Sequence, residues 1–203
     1  MTKTLLLVFA FLCLSVCAQD FSFHVFASMW HPSICALESS CYEHGDQEFW
    51  NIHGLWPSDG KMGLGYCTGE LFDPAQVQDQ KADLTRYWNG MYSDDNAFHA
   101  HEWARHGTCS GMDIPTYFSN AVQLARNLDI YGTLKKGGIV PGSMYDCHKV
   151  LDAIATGYGI SNFTVMSKNN YMTQIMLCVD TDLKVQDCAS APSCSGAWNY
   201  PSF

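Results

Sequence analysis

The chain has 203 residues, a formal net charge of −9, 47% apolar residues and 15% charged residues. That is enough material for one core, and the acidic balance argues against a broad basic face for duplex nucleic acid. It does not argue against a polyanionic substrate held by a local cluster of imidazolium and arginine, most of all at acidic pH.

The first residues read as a leader. Met1-Thr2-Lys3 is a short positive start, Leu5 to Val16 is apolar almost throughout, and Val16-Cys17-Ala18 offers small residues for cleavage before Gln19. We therefore expect a signal peptide at 1–18 and a single domain at 19–203. The apolar run is shorter than the roughly 20 residues a spanning helix needs, and no second run follows it, so no membrane association is expected. Removing the leader takes away Lys3 and moves the net charge from −9 to −10. No repeat, low-complexity tract or Pro/Ser-rich linker divides what remains.

Phe21 to Trp30 alternates loosely and is rich in aromatics, which predicts a strand closed by Pro32. Residues 35–48 read as loop. Phe49 to Trp56 predicts a second strand, with Gly54 permitting close backbone approach and Pro57 ending it. Residues 58–73 are glycine-rich loop. Pro74 suits a first helical turn, and Val77, Leu84 and Trp88 follow at helical spacing. Asp94-Asp95-Asn96 supplies capping side chains and Gly107 a stop, which predicts a helix over 97–106. Pro115 opens another helix to about Ile130. Residues 132–146 read as loop and 147–157 as helix. Phe163–Met166, Tyr171–Val179 and Leu183–Val185 read as strands, the last two joined as a hairpin across Asp180-Thr181-Asp182. Strands at both ends with helices between them predict an α+β domain, a mainly antiparallel central sheet with helices packed against it.

Without the leader the chain keeps eight cysteines: Cys35, Cys41, Cys67, Cys109, Cys147, Cys178, Cys188 and Cys194. An even count in an exported chain reads as disulfides, although spacing alone leaves about 105 connectivities open. Asn162-Phe163-Thr164 is a glycosylation sequon, consistent with export.

Chemistry concentrates in His101-Glu102-Trp103-Ala104-Arg105-His106-Gly107-Thr108-Cys109, with a further imidazole in Trp50-Asn51-Ile52-His53-Gly54-Leu55-Trp56-Pro57. On a helix, positions four apart differ by about 40° and positions five apart by about 140°. Glu102 and His106 then share one face and His101 and Arg105 the next. A zinc-protease helix needs its histidines four apart so that both face one metal, and the five-residue step from His101 to His106 splays them. No metal or other cofactor is expected. Three imidazoles, a carboxylate and an arginine suit phosphoryl transfer by concerted acid and base, and RNA brings its own nucleophile in the 2′-OH. The remaining histidines, His24, His31, His44, His99 and His148, read as core or surface groups.

His53-Gly54-Leu55-Trp56-Pro57 and His101 to Cys109 together resemble the two active-site signatures of the T2 family of secreted acid endoribonucleases. The resemblance extends over essentially the whole mature chain. It implies cleavage of single-stranded RNA by transesterification to a 2′,3′-cyclic phosphate, then slower hydrolysis to a 3′-phosphate, by a monomer that is secreted or endolysosomal. It implies His106 as general base, His53 as general acid, His101 as phosphate holder, and Glu102 with Arg105 as stabilisers of the pentacovalent state. It also implies the pairs Cys35–Cys41, Cys67–Cys109, Cys147–Cys194 and Cys178–Cys188. Trp56 is a candidate platform for a base, a stacking interaction worth about 1–3 kcal/mol. The chain departs from the family pattern in carrying Arg105 where lysine is usual, Ser58 where aspartate is common, and Met29 where glutamine often precedes the tryptophan. A second class of function is a disulfide-stapled binding or signalling protein on the same scaffold. The presence of His53, His101, Glu102 and His106 together counts against it.

Overall fold

A computed structural model describes residues 21–38, 41, 48–60, 64–91 and 93–202. The expected leader and His44 lie outside the described residues. One sheet forms the centre, with strand order β2-β1-β5-β7-β3 and two further strands, β4 and β6, also paired to β5. The strands are β1 (Phe23–Met29), β2 (Asn51–Ser58), β3 (Ser143–Asp146), β4 (Thr164–Lys168), β5 (Tyr171–Val179), β6 (Val185–Gln186) and β7 (Ala197–Tyr200). All pairings are antiparallel except that of β5 with β7. The helices are α1 (His31–Leu37), α2 (Lys81–Tyr87), α3 (Asp95–Arg105), α4 (Ile114–Leu128), α5 (Ile130–Lys136) and α6 (Cys147–Tyr158). This is the α+β domain expected, with four disulfides joining Cys35 to Cys41, Cys67 to Cys109, Cys147 to Cys194 and Cys178 to Cys188.

β5 is central because Met172 to Ile175 and Leu177 to Val179 are buried, so both of its faces are covered. β2 ends the sheet and tolerates Pro57 within it, since an edge strand does not need every N–H. α4 lays Tyr117, Phe118, Ala121 and Leu124 against the core, and Tyr117 donates its hydroxyl to the Leu55 carbonyl of β2 at 2.9 Å. Trp88, Tyr117 and Phe118 pack with one another and, through Trp103 on Tyr117, carry the core to the inner face of α3.

Several sequence expectations are corrected. Pro32 does not merely close a strand. It sits in the first turn of α1, where its missing N–H costs nothing, so residues expected as loop are helical up to Leu37. Within 132–146, expected as loop, lie the end of α5 and all of β3. Asp129 adopts φ 40° and both ends α4 and caps α5, accepting from the Gly132 N–H at 3.0 Å. A Cβ on Gly132 would stand 2.0 Å from the Asp129 carboxylate, so the glycine marks a cap and not a loop. β3 exists only because β7 pairs with it, and β7 carries no sequence signal strong enough to predict alone. Among the described residues no helix is long and apolar enough to cross a membrane.

Candidate active site

α3 is fixed at both ends. Asp94 caps it by accepting from the Ala97 N–H at 3.0 Å, a contact worth about 1 kcal/mol. The helix stops at Arg105, His106 takes the cap position, and Gly107–Cys109 turns tightly away. A Cβ on Gly107 would lie 2.2 Å from the Trp103 ring, so this glycine is required by packing. The Cys67–Cys109 disulfide, the Trp103 indole on the Glu70 carbonyl at 2.8 Å, and the Tyr66 N–H on the Arg105 carbonyl at 2.8 Å then fasten the loop 64–70 over this end.

His53 comes from β2 through an irregularity. The β1–β2 register passes from Ala27 opposite Gly54 to Ser28 opposite Ile52, leaving His53 as the extra residue of a bulge. A bulge frees one residue from the ladder and re-aims its side chain. The freed His53 carbonyl accepts from the Trp88 indole at 3.1 Å, so that carbonyl is not left unpaired. The next residue, Gly54, has no room for a side chain: a Cβ would meet both Glu102 Oε2 and Trp56 Nε1 at 2.2 Å. Those two atoms are themselves bonded, the Trp56 indole donating to Glu102 Oε2 at 2.9 Å.

The four polar groups expected from α3 and its cap divide by burial. Glu102 is buried, His106 is half-buried, and His101 and Arg105 are exposed. Neither of the exposed two makes a side-chain hydrogen bond or ion pair among the described residues. Trp56 lies between the two half-buried imidazoles, its ring centroid 5.0 Å from His53 and 5.2 Å from His106. His53 Nδ1 is 2.6 Å from Gln174 Oε1, and His106 Nδ1 is 3.2 Å from the Leu64 carbonyl. Both partners are acceptors, so in the assigned network each Nδ1 carries its proton and each Nε2 is left for other chemistry.

Burial sets the charge states. Desolvation lowers His106 to about 4, with Arg105, His53 and His101 adding repulsion and the Leu64 carbonyl opposing the shift. Desolvation likewise holds His53 below 6.5, against the raising effect of Gln174, while His101 and Arg105 push it further down. Desolvation raises Glu102 to about 7, with the Trp56 and Arg105 interactions pulling it back. His53 Nε2 and Glu102 Oε1 lie 4.0 Å apart, at the outer limit of an ion pair. Burial favours the neutral form of each, so this contact is not a standing salt bridge.

Beside His53 a cavity of about 250 Å³ is lined by Met29, Met91, Ser93 and Phe98. Sequence reasoning missed Gln174, the Leu64 carbonyl and the Trp88 indole. A lone glutamine within the apolar run of β5 was the one visible signal. Of the isolated histidines, His24, His31 and His99 are buried and His148 is exposed. Asn162 is half-buried, its backbone N–H held by Asp187 at 2.7 Å. Among the described residues the only cluster with metal-ligand spacing is Cys147, His148 and Cys194, whose two sulfurs are joined to each other in a disulfide.

Comparison with known proteins places this geometry in context. The Ribonuclease T2 family model matches residues 21–188. Intracellular ribonuclease LX of Solanum lycopersicum is 32% identical, the match covering 98% of this chain and 92% of the relative. Ribonuclease DdI of Dictyostelium discoideum is 30% identical over 90% of this chain and 86% of its own. Among solved structures, RNase NT in complex with 5′-AMP superposes with a TM-score of 0.80 at 28% identity, covering 91% of this chain and 100% of that one.

Proposed function

Since the chain belongs to the ribonuclease T2 family of RNA-cleaving enzymes, we propose that it is an endoribonuclease which cuts single-stranded RNA by transesterification, with His106 as general base and His53 as general acid. In the first step His106 Nε2 takes the proton of the 2′-OH. The 2′ oxygen forms a bond to phosphorus, the bond from phosphorus to the 5′ oxygen breaks, and a protonated His53 gives its Nε2 proton to that leaving oxygen. The products are a 2′,3′-cyclic phosphate and a 5′-OH. Water then opens the cyclic ester with the two histidines in exchanged roles, leaving a 3′-phosphate.

The observation that carries this reading is the pair of half-buried imidazoles, each with Nδ1 tied to an acceptor, on either side of Trp56. The exposed His101 and Arg105 side chains hold the phosphate and balance charge gathering on its oxygens. Glu102, neutral below about 7, offers a carboxyl proton to a phosphoryl oxygen, which a buried carboxylate would repel. The half-buried Trp56 ring stacks a base on one side of the scissile bond, and the cavity beside His53 receives the other. The leader at 1–18, the four disulfides and the Asn162 sequon support export to an oxidising compartment, secreted or endolysosomal.

The test is digestion of total RNA at about pH 5 by the wild type, His53→Ala and His106→Ala, with and without EDTA. Cleavage by the wild type in chelator, and loss of nearly all turnover in both variants, is expected. An active His106→Ala enzyme overturns the assignment, and inertness of the wild type favours a binding protein on this scaffold.

A further inference from the structure

We propose that Gln174 is a positioning residue for this reaction: its amide oxygen holds His53 in the Nδ1–H tautomer and, being uncharged, orients the ring while stabilising its cation less than a carboxylate would. The inference rests on the reading of His53 as general acid. Gln174 lies on β5, next to β1 in the sheet and two strands from β2, and its side chain is buried. Its Oε1 is 2.6 Å from His53 Nδ1, and its Nε2 is 3.6 Å from the sulfur of Met166, opposite it on β4.

The second contact agrees with this orientation of the amide. A thioether has lone pairs and no proton, so it takes the amide N–H, and the oxygen is left for the histidine. An amide oxygen only accepts, so Nδ1 must donate. Two bulges meet here. His53 is the extra residue of β2 against β1, and Thr173 is the extra residue of β5 against β4, where the register passes from Met166 opposite Gln174 to Ser167 opposite Met172. The imidazole thus comes from a bulged residue of β2, and the amide from the residue next to the bulge of β5.

The groups around His53 show why the partner's neutrality matters. From α3 come Glu102, with Oε1 4.0 Å from Nε2, and the more distant His101 and Arg105. His106 follows α3, Trp56 lies on its own strand, and Met29 on β1 borders the same cavity. Among the described residues Gln174 alone is within hydrogen-bond distance of the ring. A carboxylate at this point would stabilise the imidazolium and make it a weaker acid toward the departing oxygen. The amide gives the same orientation with a weaker effect of that kind.

The full chain is prepared as wild type, Gln174→Glu, Gln174→Met and His53→Ala, the last to assign the ring signals. Nitrogen-15 spectra of the imidazoles read the tautomer and titration of His53 independently of activity, and kcat/KM on a dinucleoside monophosphate is followed against pH. The wild type is expected to show the Nδ1–H form. Gln174→Glu should raise the pH at which His53 titrates by about one pH unit or more and carry the alkaline limb of kcat/KM up with it. Gln174→Met should mix the tautomers and lower kcat about tenfold or more, with KM nearly unchanged. Thermal unfolding checks that both variants fold, and Gln174→Glu serves as the hydrogen-bonding control if Gln174→Met does not. An unchanged tautomer and titration in the folded variants overturns the proposal. If His53→Ala stays active, the reading of His53 as acid fails instead, and the spectra still decide whether Gln174 holds the ring.

Discussion

Glu102→Gln separates what the buried carboxyl does for the reaction from what it does to the fold. Glu102 is 2% exposed and its folded pKa is raised from 4.5 to about 7. An unfolded chain loses this proton near 4.5, whereas the folded chain keeps it to about 7. Between those values the folded state binds the extra proton, so stability falls as pH rises through the window. At 1.36 kcal/mol per pH unit the loss is about 3 kcal/mol. Glutamine keeps the oxygen that accepts from the Trp56 indole and places an amide N–H where Oε1 faces His53. It cannot ionise. Urea unfolding at pH 4.5 and at pH 8 should therefore show Glu102→Gln near wild type at the lower pH and about 3 kcal/mol more stable at the higher. The other titrating groups are common to both proteins and cancel in the difference. The amide N–H should preserve part of the activity, while Glu102→Ala should lose about 10²–10³ in kcat as a missing donor does. Equal stability of Glu102→Gln and wild type at pH 8 would refute the claim that this carboxyl is held neutral by burial.

Three further outcomes follow from the same geometry. The kcat/KM profile should rise as His106 loses its proton near 4 and fall again on the acid side of 6.5 as His53 loses its own, and a profile flat between pH 4 and 8 would contradict the two-imidazole reading. Gly54→Ala should remove nearly all activity and cost about 1–3 kcal/mol, because the new methyl must part Trp56 from Glu102; a fully active, equally stable variant in thermal unfolding would count against the packing described. His24 is buried, and desolvation lowers it to about 4, against the raising effect of the Asp180 backbone. As pH falls from 6.5 to 4 the unfolded chain takes this proton first, so stability is lost across that window, and His24→Leu should recover about 3 kcal/mol at pH 4 relative to its effect at pH 7. Thermal melts at the two values check it, and an identical change at both would exclude the mechanism.

What could be read from residues alone was what local periodicity and side-chain chemistry carry. Glu102, Arg105 and the capping Asp94 declare a short helix whose polar groups fall on neighbouring faces, and β5 declares itself through an apolar run of strand length. The family resemblance rested on two short signatures, and the match over residues 21–188 agrees with it. What needed the tertiary structure was every feature that depends on a distant partner. The bulge at His53 is invisible in Asn51 to Ser58, because an extra residue exists only relative to the strand it faces. The reach of Gln174 from β5 to His53 spans 121 positions in sequence, and the Leu64 carbonyl meets His106 because the Cys67–Cys109 bridge and the hydrogen bonds of Tyr66 and Trp103 hold its loop over the end of α3. Charge states were equally out of reach. A carboxyl and two imidazoles have ordinary titrations as residue types, and it is burial, a property of the assembled core and not of any segment, that holds Glu102 neutral and both histidines easily deprotonated.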